Sequence, residues 1–380
     1  MLARGYGAAS LFALLPLTGA YAPAAQAAPG ASAGCAATIV RSFDLRARVG
    51  QLLLVGVPVD APASALPIIS MYRVGSVLLT GRSYRSVRSI RQTTDAIQRA
   101  ALAATGVGAD VAVDQEGGLV QTLRGPGFTR VPTAQRQGEL TPAALRAQTT
   151  SWAAQLRAAG ITLDLAPVAD TVSISPPSAN PPVGALHRGY GDDPAAVAPD
   201  IGVVVAALRT QQVGATLKHF PGLGRVRYNP DVSTAASDRV ATAADPNLAP
   251  FGAGIRAGAS AVMMSSARYP QLDPAQPAVV SARIVTDLLQ QQLGFRGLVV
   301  TDDIGAAAAL RDMTLAQRAI RFIEAGGQLV LTVRTGDAGP LSRALTAKAG
   351  ADLAFLRRVE AAALRVVQSK VDMGLAACDP

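Results

Sequence analysis

The chain has 380 residues, 49% of them hydrophobic and 4% aromatic, and its 35 Lys and Arg against 26 Asp and Glu give a formal charge of +9. That length fills one large core or two modest ones, with one large domain the default, and a single Trp excludes a site walled by many aromatic platforms. The Arg residues are scattered and no recognition motif accompanies them, so no nucleic acid is expected as a partner. An anionic surface fits the charge better, and a solvated, Arg-rich surface with no partner fits it equally well.

In chain order, residues 1–27 read as an export leader: Arg4 is a short basic start, Ala8 to Ala22 is apolar, and Ala25-Gln26-Ala27 is a small-x-small cleavage site. The apolar run is short of the ~20 residues needed to span a bilayer and Pro16 interrupts it, so a membrane anchor is not expected. The expected location is therefore secreted or at the cell envelope. The two cysteines, Cys35 and Cys378, fit a disulfide joining the chain ends in that oxidising compartment. The alternative makes Cys35 a lipid-attachment cysteine. Residues 28–44 form a small-residue N-terminal segment, and 45–380 a single domain.

Within that domain short apolar runs alternate with longer amphipathic stretches, the pattern of a parallel sheet wrapped by helices. Strands are predicted at Leu52 to Val57, Val74 to Leu79, Ala109 to Val113, Leu163 to Val168, Ala215 to Phe220, Ala261 to Ser265, Leu298 to Thr301 and Gln328 to Val333. Helices are predicted at Ser86 to Ala104, Ala143 to Ala158, Ala195 to Gln212, Ser281 to Leu293 and Thr314 to Ala325. A last helix, Ala351 to Val371, is expected on the outside or bottom. Eight β/α units favour an α/β fold of the (β/α)8 TIM-barrel type over an open doubly wound sheet, whose glycine fingerprint is missing.

Barrels of this kind carry their chemistry at the carboxyl ends of the strands. Asp114 follows the third run, Asp170 the fourth, Lys218 and His219 close the fifth, Ser265 and Ser266 the sixth, and Asp302 with Asp303 the seventh. Singly, each is what any soluble rim requires. Their joint placement on one rim marks a candidate site. Thr171 to Asp193 and Pro221 to Pro246 lack periodicity and read as rim loops, a common seat of function. Two His and two Cys without liganding spacing predict no metal, and no cofactor is expected.

Five motifs stand in order along the chain: Val113-Asp114-Gln115-Glu116-Gly117-Gly118, Ala166-Pro167-Val168-Ala169-Asp170, Arg188-Gly189-Tyr190-Gly191-Asp192-Asp193-Pro194, Lys218-His219-Phe220-Pro221-Gly222, and Leu293-Gly294-Phe295-Arg296-Gly297 through Thr301-Asp302. From about Val49 to Leu375 the chain resembles glycoside hydrolase family 3, and lacking room for a second α/β domain it is similar to the single-domain β-N-acetylglucosaminidase (β-N-acetylhexosaminidase) branch. The resemblance implies a retaining hydrolase that removes terminal β-linked N-acetylhexosamine from cell-envelope glycans, with Asp302 as nucleophile. It further implies that Asp114, Arg188, Lys218 and His219 bind sugar hydroxyls. Alternatives taken from the residues alone pair Arg188 with Asp192, and Lys218 with Asp114 or Asp170. A Schiff-base enzyme acting through Lys218 is a third class.

The branch's acid/base is a His two residues after an Asp in the loop following Lys-His-Phe-Pro-Gly, and the matching positions here read Asn229-Pro230-Asp231. Leu119 and Thr122 stand where Arg is usual, and Leu223 and Ser266 where His is common. Two accounts compete. In one, Asp231 is the acid/base, its pKa raised in a partly closed loop. In the other, Asn229-Pro230-Asp231 is a plain turn and the protein is a catalytically impaired relative that binds glycans.

Overall fold

Each of the eight apolar runs forms a parallel strand in the computed structural model, which describes residues 29–378 and Met1. The strands are β1 (Leu53–Pro58), β2 (Ser76–Thr80), β3 (Asp110–Val113), β4 (Leu163–Asp164), β5 (Gly214–Phe220), β6 (Ala261–Met264), β7 (Leu298–Thr301) and β8 (Val330–Thr332). They pair in the order β8-β1-β2-β3-β4-β5-β6-β7, and a bridge between Val300 and Leu329 brings β7 to β8 and closes the ring into a (β/α)8 barrel. The fourth strand is shorter than the predicted Leu163 to Val168. Beyond Asp164, Leu165 N–H still donates to the Val113 carbonyl at 2.8 Å and the Ala166 carbonyl accepts Thr216 N–H at 2.9 Å, but Pro167 has no N–H to continue the ladder, which resumes at a bridge from Val168 to Lys218. The predicted leader lies outside the described residues.

The strands read as unbroken apolar runs because both faces are buried. Leu54, Leu78, Ala112, Met263, Leu298, Val300 and Leu331 fill the barrel's interior, while the alternate residues, among them Val55, Val77, Val111, Val262 and Val299, pack outward against the helices. Side chains on a strand alternate faces, so Asp114 two residues past Ala112, and Asp302 two past Val300, come out on the inner side at the top. Period two thus turns an apolar interior into a polar mouth.

Capping chemistry starts the outer helices. Ser86 accepts from Ser89 N ahead of Val87–Thr105, Thr141 accepts from Ala144 N ahead of Pro142–Ala158, and Thr314 with Gln317 forms a capping box for Leu315–Glu324. The predicted helix at Ser281 to Leu293 is Arg283–Gln292 and is wound as a π-helix. Helices at Pro29–Ser42, Leu45–Gln51, Leu66–Tyr72, Ala249–Arg256 and Ala338–Ala351 were not anticipated.

The first and last helices close the bottom of the barrel. Pro29–Ser42 packs on Leu353–Asp372, and a disulfide joins Cys35 to Cys378 with their Cα atoms 5.6 Å apart. From the last helix Val366 joins the barrel's interior cluster. Lys370, wholly buried, donates to Gln51 Oε1 at 2.7 Å and to the Gly75 carbonyl at 2.6 Å, just ahead of β1 and β2. Among the described residues no helix is long and apolar enough to cross a membrane.

Candidate active site

At the opposite end, the mouth is organised around Glu116. Beyond β3 the chain makes a hairpin, Gln115–Gly117 paired with Val120–Gln121, whose turn needs glycine: Gly117 has φ of 105°, and a Cβ there would lie 2.1 Å from the Pro132 carbonyl oxygen. Glu116, on the same inward parity as Asp114, accepts two bonds from Arg188, at 2.8 Å from Nε and 2.7 Å from Nη2. Its Oε1 also lies 2.6 Å from Lys218 Nζ, which donates to Asp114 Oδ1 at 2.8 Å. Burial works against ionising Glu116, but the two cations outweigh it and hold the carboxyl at about 2. Burial likewise lowers Lys218, and Asp114 and Glu116 more than compensate, raising it well above the ordinary lysine range. An amine held protonated so firmly is a poor Schiff-base nucleophile, which disfavours the third class above.

Lys218 and His219 are consecutive, and a regular strand would point them to opposite faces. A register shift between Leu217 and Phe220 in the pairing with β6 breaks the alternation and lets both face the site. His219 Nδ1 lies 2.8 Å from Asp170 Oδ2, while Asp170 Oδ1 accepts the backbone N–H groups of His219 at 3.1 Å and Leu223 at 2.7 Å. With Nδ1–H donating to Asp170, Nε2 is left as an acceptor facing Arg188 Nη2 at 3.5 Å. Of the expected alternatives, the pairing of Lys218 with Asp114 is found, while those of Arg188 with Asp192 and of Lys218 with Asp170 are corrected. Arg188 pairs with Glu116 rather than Asp192, and Asp170 serves His219, leaving Lys218 to Asp114 and Glu116.

Four strands around the ring from β3, Asp302 follows β7. Its backbone N–H donates to the Met264 carbonyl at 3.2 Å and its Oδ1 accepts Asp303 N–H at 2.9 Å. Asp303 turns instead to the backbone, accepting from Gly305 N at 2.9 Å and Val333 N at 3.1 Å. Burial raises its pKa.

Asp231 comes to this group from the loop after β5. Its residue surface is exposed, yet protein packed about the carboxyl desolvates it, and Asp302 adds a like charge. Together they raise its pKa to about 6 against the opposing pull of His219 and Arg188. Asn229-Pro230-Asp231 is a turn, with Asn229 Oδ1 accepting Asp231 N–H at 2.9 Å. The turn of the second account is therefore found, and it leaves the Asp231 carboxyl within electrostatic reach of Asp302, His219 and Arg188.

Beside Asp114 a cavity of about 290 Å³ opens among Leu78, Arg82, Leu119, Thr122 and Val333. Leu119 and Thr122 put an apolar and a neutral side chain in this wall. Among the described residues no group of three or more His, Cys, Asp or Glu is arranged to hold a metal ion.

A closed parallel barrel with a carboxylate just past β7, a second carboxylate within electrostatic reach of it from the loop after β5, and a fixed set of charged donors and acceptors beyond β3 and β4 and at the end of β5 fits a glycoside-cleaving barrel. The chain belongs to glycoside hydrolase family 3: residues 44–369 match the model of the Glycosyl hydrolase family 3 N terminal domain. It is 37% identical over 289 residues to a beta-hexosaminidase of Xanthomonas oryzae pv. oryzae, covering 74% of this chain and 83% of that one. The crystal structure of a beta-N-acetylhexosaminidase from Beutenbergia cavernae superposes with a TM-score of 0.83 at 45% identity, over 87% of this chain and 99% of the other. A family 3 beta-N-acetylglucosaminidase from Paenibacillus sp. gives a TM-score of 0.80 at 26% identity, over 89% of this chain and 65% of the other.

Proposed function

We propose that this chain is an exported retaining β-N-acetylhexosaminidase that trims amino-sugar glycans of the cell envelope, with Asp302 as nucleophile and Asp231 as acid/base. The observation that carries it is the placement of Asp231, a desolvated carboxyl held near Asp302 with its pKa at about 6. A carboxylic acid with that pKa is protonated often enough near neutrality to give up a proton and basic enough to take one back.

In the first step the Asp302 carboxylate bonds to the anomeric carbon while Asp231 protonates the departing glycosidic oxygen. In the second, the Asp231 carboxylate takes a proton from water, whose oxygen displaces Asp302 from the same carbon, so that configuration is retained. Asp114, Arg188, Lys218 and His219 supply the hydroxyl contacts. Because Glu116 fixes two of these cations before substrate arrives, little reorganisation accompanies binding. Family membership and the hexosaminidase relatives support action on a β-linked hexosamine. The leader and the net charge of +9 support an anionic envelope as the setting.

The test is turnover of a chromogenic β-N-acetylglucosaminide and a β-glucoside by the wild type, Asp302→Asn and Asp231→Asn, with azide added. Loss of activity in both variants, restored by azide in Asp231→Asn alone, is the expected result. Full activity of Asp231→Asn would remove it from the mechanism. No turnover of either glycoside, with a sugar still raising the melting temperature, would assign the chain as a glycan-binding protein instead.

A further inference from the structure

We propose that Arg225 and the backbone N–H groups of Ala308 and Ala309 are positioning groups that hold the arm carrying Asp231 closed over the nucleophile. The inference rests on the reading of Asp231 as acid/base. From Pro221 to Asp245 the chain has neither helix nor strand, and an arm of that length keeps a carboxyl at a working distance only if it is anchored.

The anchors are found at its base, its waist and its tip. At the base, Leu223 N–H is bound to Asp170, and Gly224 packs so closely on the loop after β4 that a Cβ would lie 1.7 Å from the Thr171 carbonyl oxygen. At the waist, the largely buried Arg225 donates from Nε to Asp238 Oδ2 at 2.8 Å and forks onto Asp245, with Nη1 3.1 Å from Oδ1. The outgoing limb is thereby stapled to the returning one. Asp238 in turn accepts the N–H groups of Val240 and Ala241 through Oδ1 and donates its own to the Arg268 carbonyl at 2.9 Å, tying the arm to the loop after β6.

At the tip, the Pro230 carbonyl accepts Ala309 N–H at 3.0 Å and the Asp231 carbonyl accepts Ala308 N–H at 3.2 Å. The loop that supplies these donors begins at Asp302. The proton donor and the nucleophile are therefore clasped to one short segment, and their separation is set by backbone rather than by side-chain packing. Ala308 and Ala309 contribute no polar side chain, so nothing in their residue type announces the role.

The two attachments can be cut separately. Ala308 opens a 3-10 turn and follows Ala307 at φ −56° and ψ 112°, a conformation that accommodates a following proline, so Ala308→Pro deletes one N–H with little disturbance of the turn. Arg225→Met removes the waist staple, and Arg225→Lys keeps the charge without the fork.

Each variant is assayed on N-acetylglucosaminides with an acidic leaving group (2,4-dinitrophenol) and a basic one (methanol), since protonation by Asp231 assists mainly the second. Ala308→Pro and Arg225→Met should lower kcat/KM for the methyl glycoside by about tenfold or more and leave the dinitrophenyl glycoside within about threefold, with Arg225→Lys between and the Tm of Ala308→Pro near that of wild type. Their high-pH limb should also move to lower pH as water reaches the carboxyl. If the two glycosides fall together, or neither changes, while Asp231→Asn shows the leaving-group signature, the anchors do not position the acid/base and the inference is wrong. If Asp231→Asn itself lacks that signature, the acid/base reading fails first and takes the anchors' role with it.

Discussion

Two buried cations, Lys218 and Arg188, lean on one carboxylate, Glu116, whose side chain is 3% exposed. Removing one partner of a buried ion group strands the others, at a cost of about 3–5 kcal/mol. We expect Glu116→Gln to lower the unfolding free energy by about that amount in urea titration, and to raise KM by freeing Arg188 and Lys218 to reorient. The linkage has a definite sign. Glu116 titrates at about 2 in the folded chain against an ordinary 4.5, so its stabilisation is complete above about 4.5 and fades as pH falls toward 2. That acid-side loss should be smaller in Glu116→Gln. For Asp231 the working form in the first step is the acid, so kcat/KM should fall as pH rises through about 6, and a high-pH limb lying above 8 would argue against it. In the sequence Glu116 stood inside the first motif without a role, although an acid two residues past Asp114, and so on the same parity, was a usable signal. Arg188 offered no such guide, because its partner lies 72 residues away.

Elements were legible where one rule decides them. Strands buried on both faces are continuous apolar runs, and seven of the eight fall within about two residues of their predicted ends. Leu66–Tyr72 and Ala249–Arg256 escaped because they are 7 and 8 residues long, open with proline and present less than two full amphipathic repeats. The arm was legible as a loop, but its closure was not, since backbone N–H groups hold its tip and those leave no trace in residue type. At the other end of the barrel a covalent tie fixes Pro29–Ser42 against Leu353–Asp372. Ala36 and Val40 bury against the core there, and the Cys35–Cys378 bond links points 343 residues apart. We expect the double variant Cys35→Ser, Cys378→Ser to lose about 2–4 kcal/mol, read as a lower Tm, with kcat unchanged because the mouth lies at the far end of the strands. A fall in kcat at a temperature where the variant is fully folded would show that the bottom of the barrel communicates with the site.

The whole molecule separates two kinds of buried charge by the barrel axis. At the mouth, cations and carboxylates are matched, and Asp164 beneath them is pushed by burial to about 8 despite the nearby Lys218. At the bottom, Lys370 meets the carbonyls of Gln51 and Gly75, with Asp110 as the one acid acting on it, and burial outweighs that acid and lowers Lys370 to about 8. Burial raises Asp110 in turn. The pair therefore stabilises the barrel less in its charged form than contacts of this number suggest. Between pH 8 and 10.5 the unfolded chain keeps the Lys370 proton that the folded chain has given up, so folding strengthens with pH across that window. The difference in unfolding free energy between wild type and Lys370→Met should accordingly shift in favour of wild type by up to about 3 kcal/mol from pH 8 to 10.5. Subtracting the variant removes the other lysines and tyrosines that titrate there, because they are common to both chains. A difference that stays flat across the window would mean that Lys370 remains protonated beneath the barrel and that the bottom, like the mouth, is held by a full ion pair.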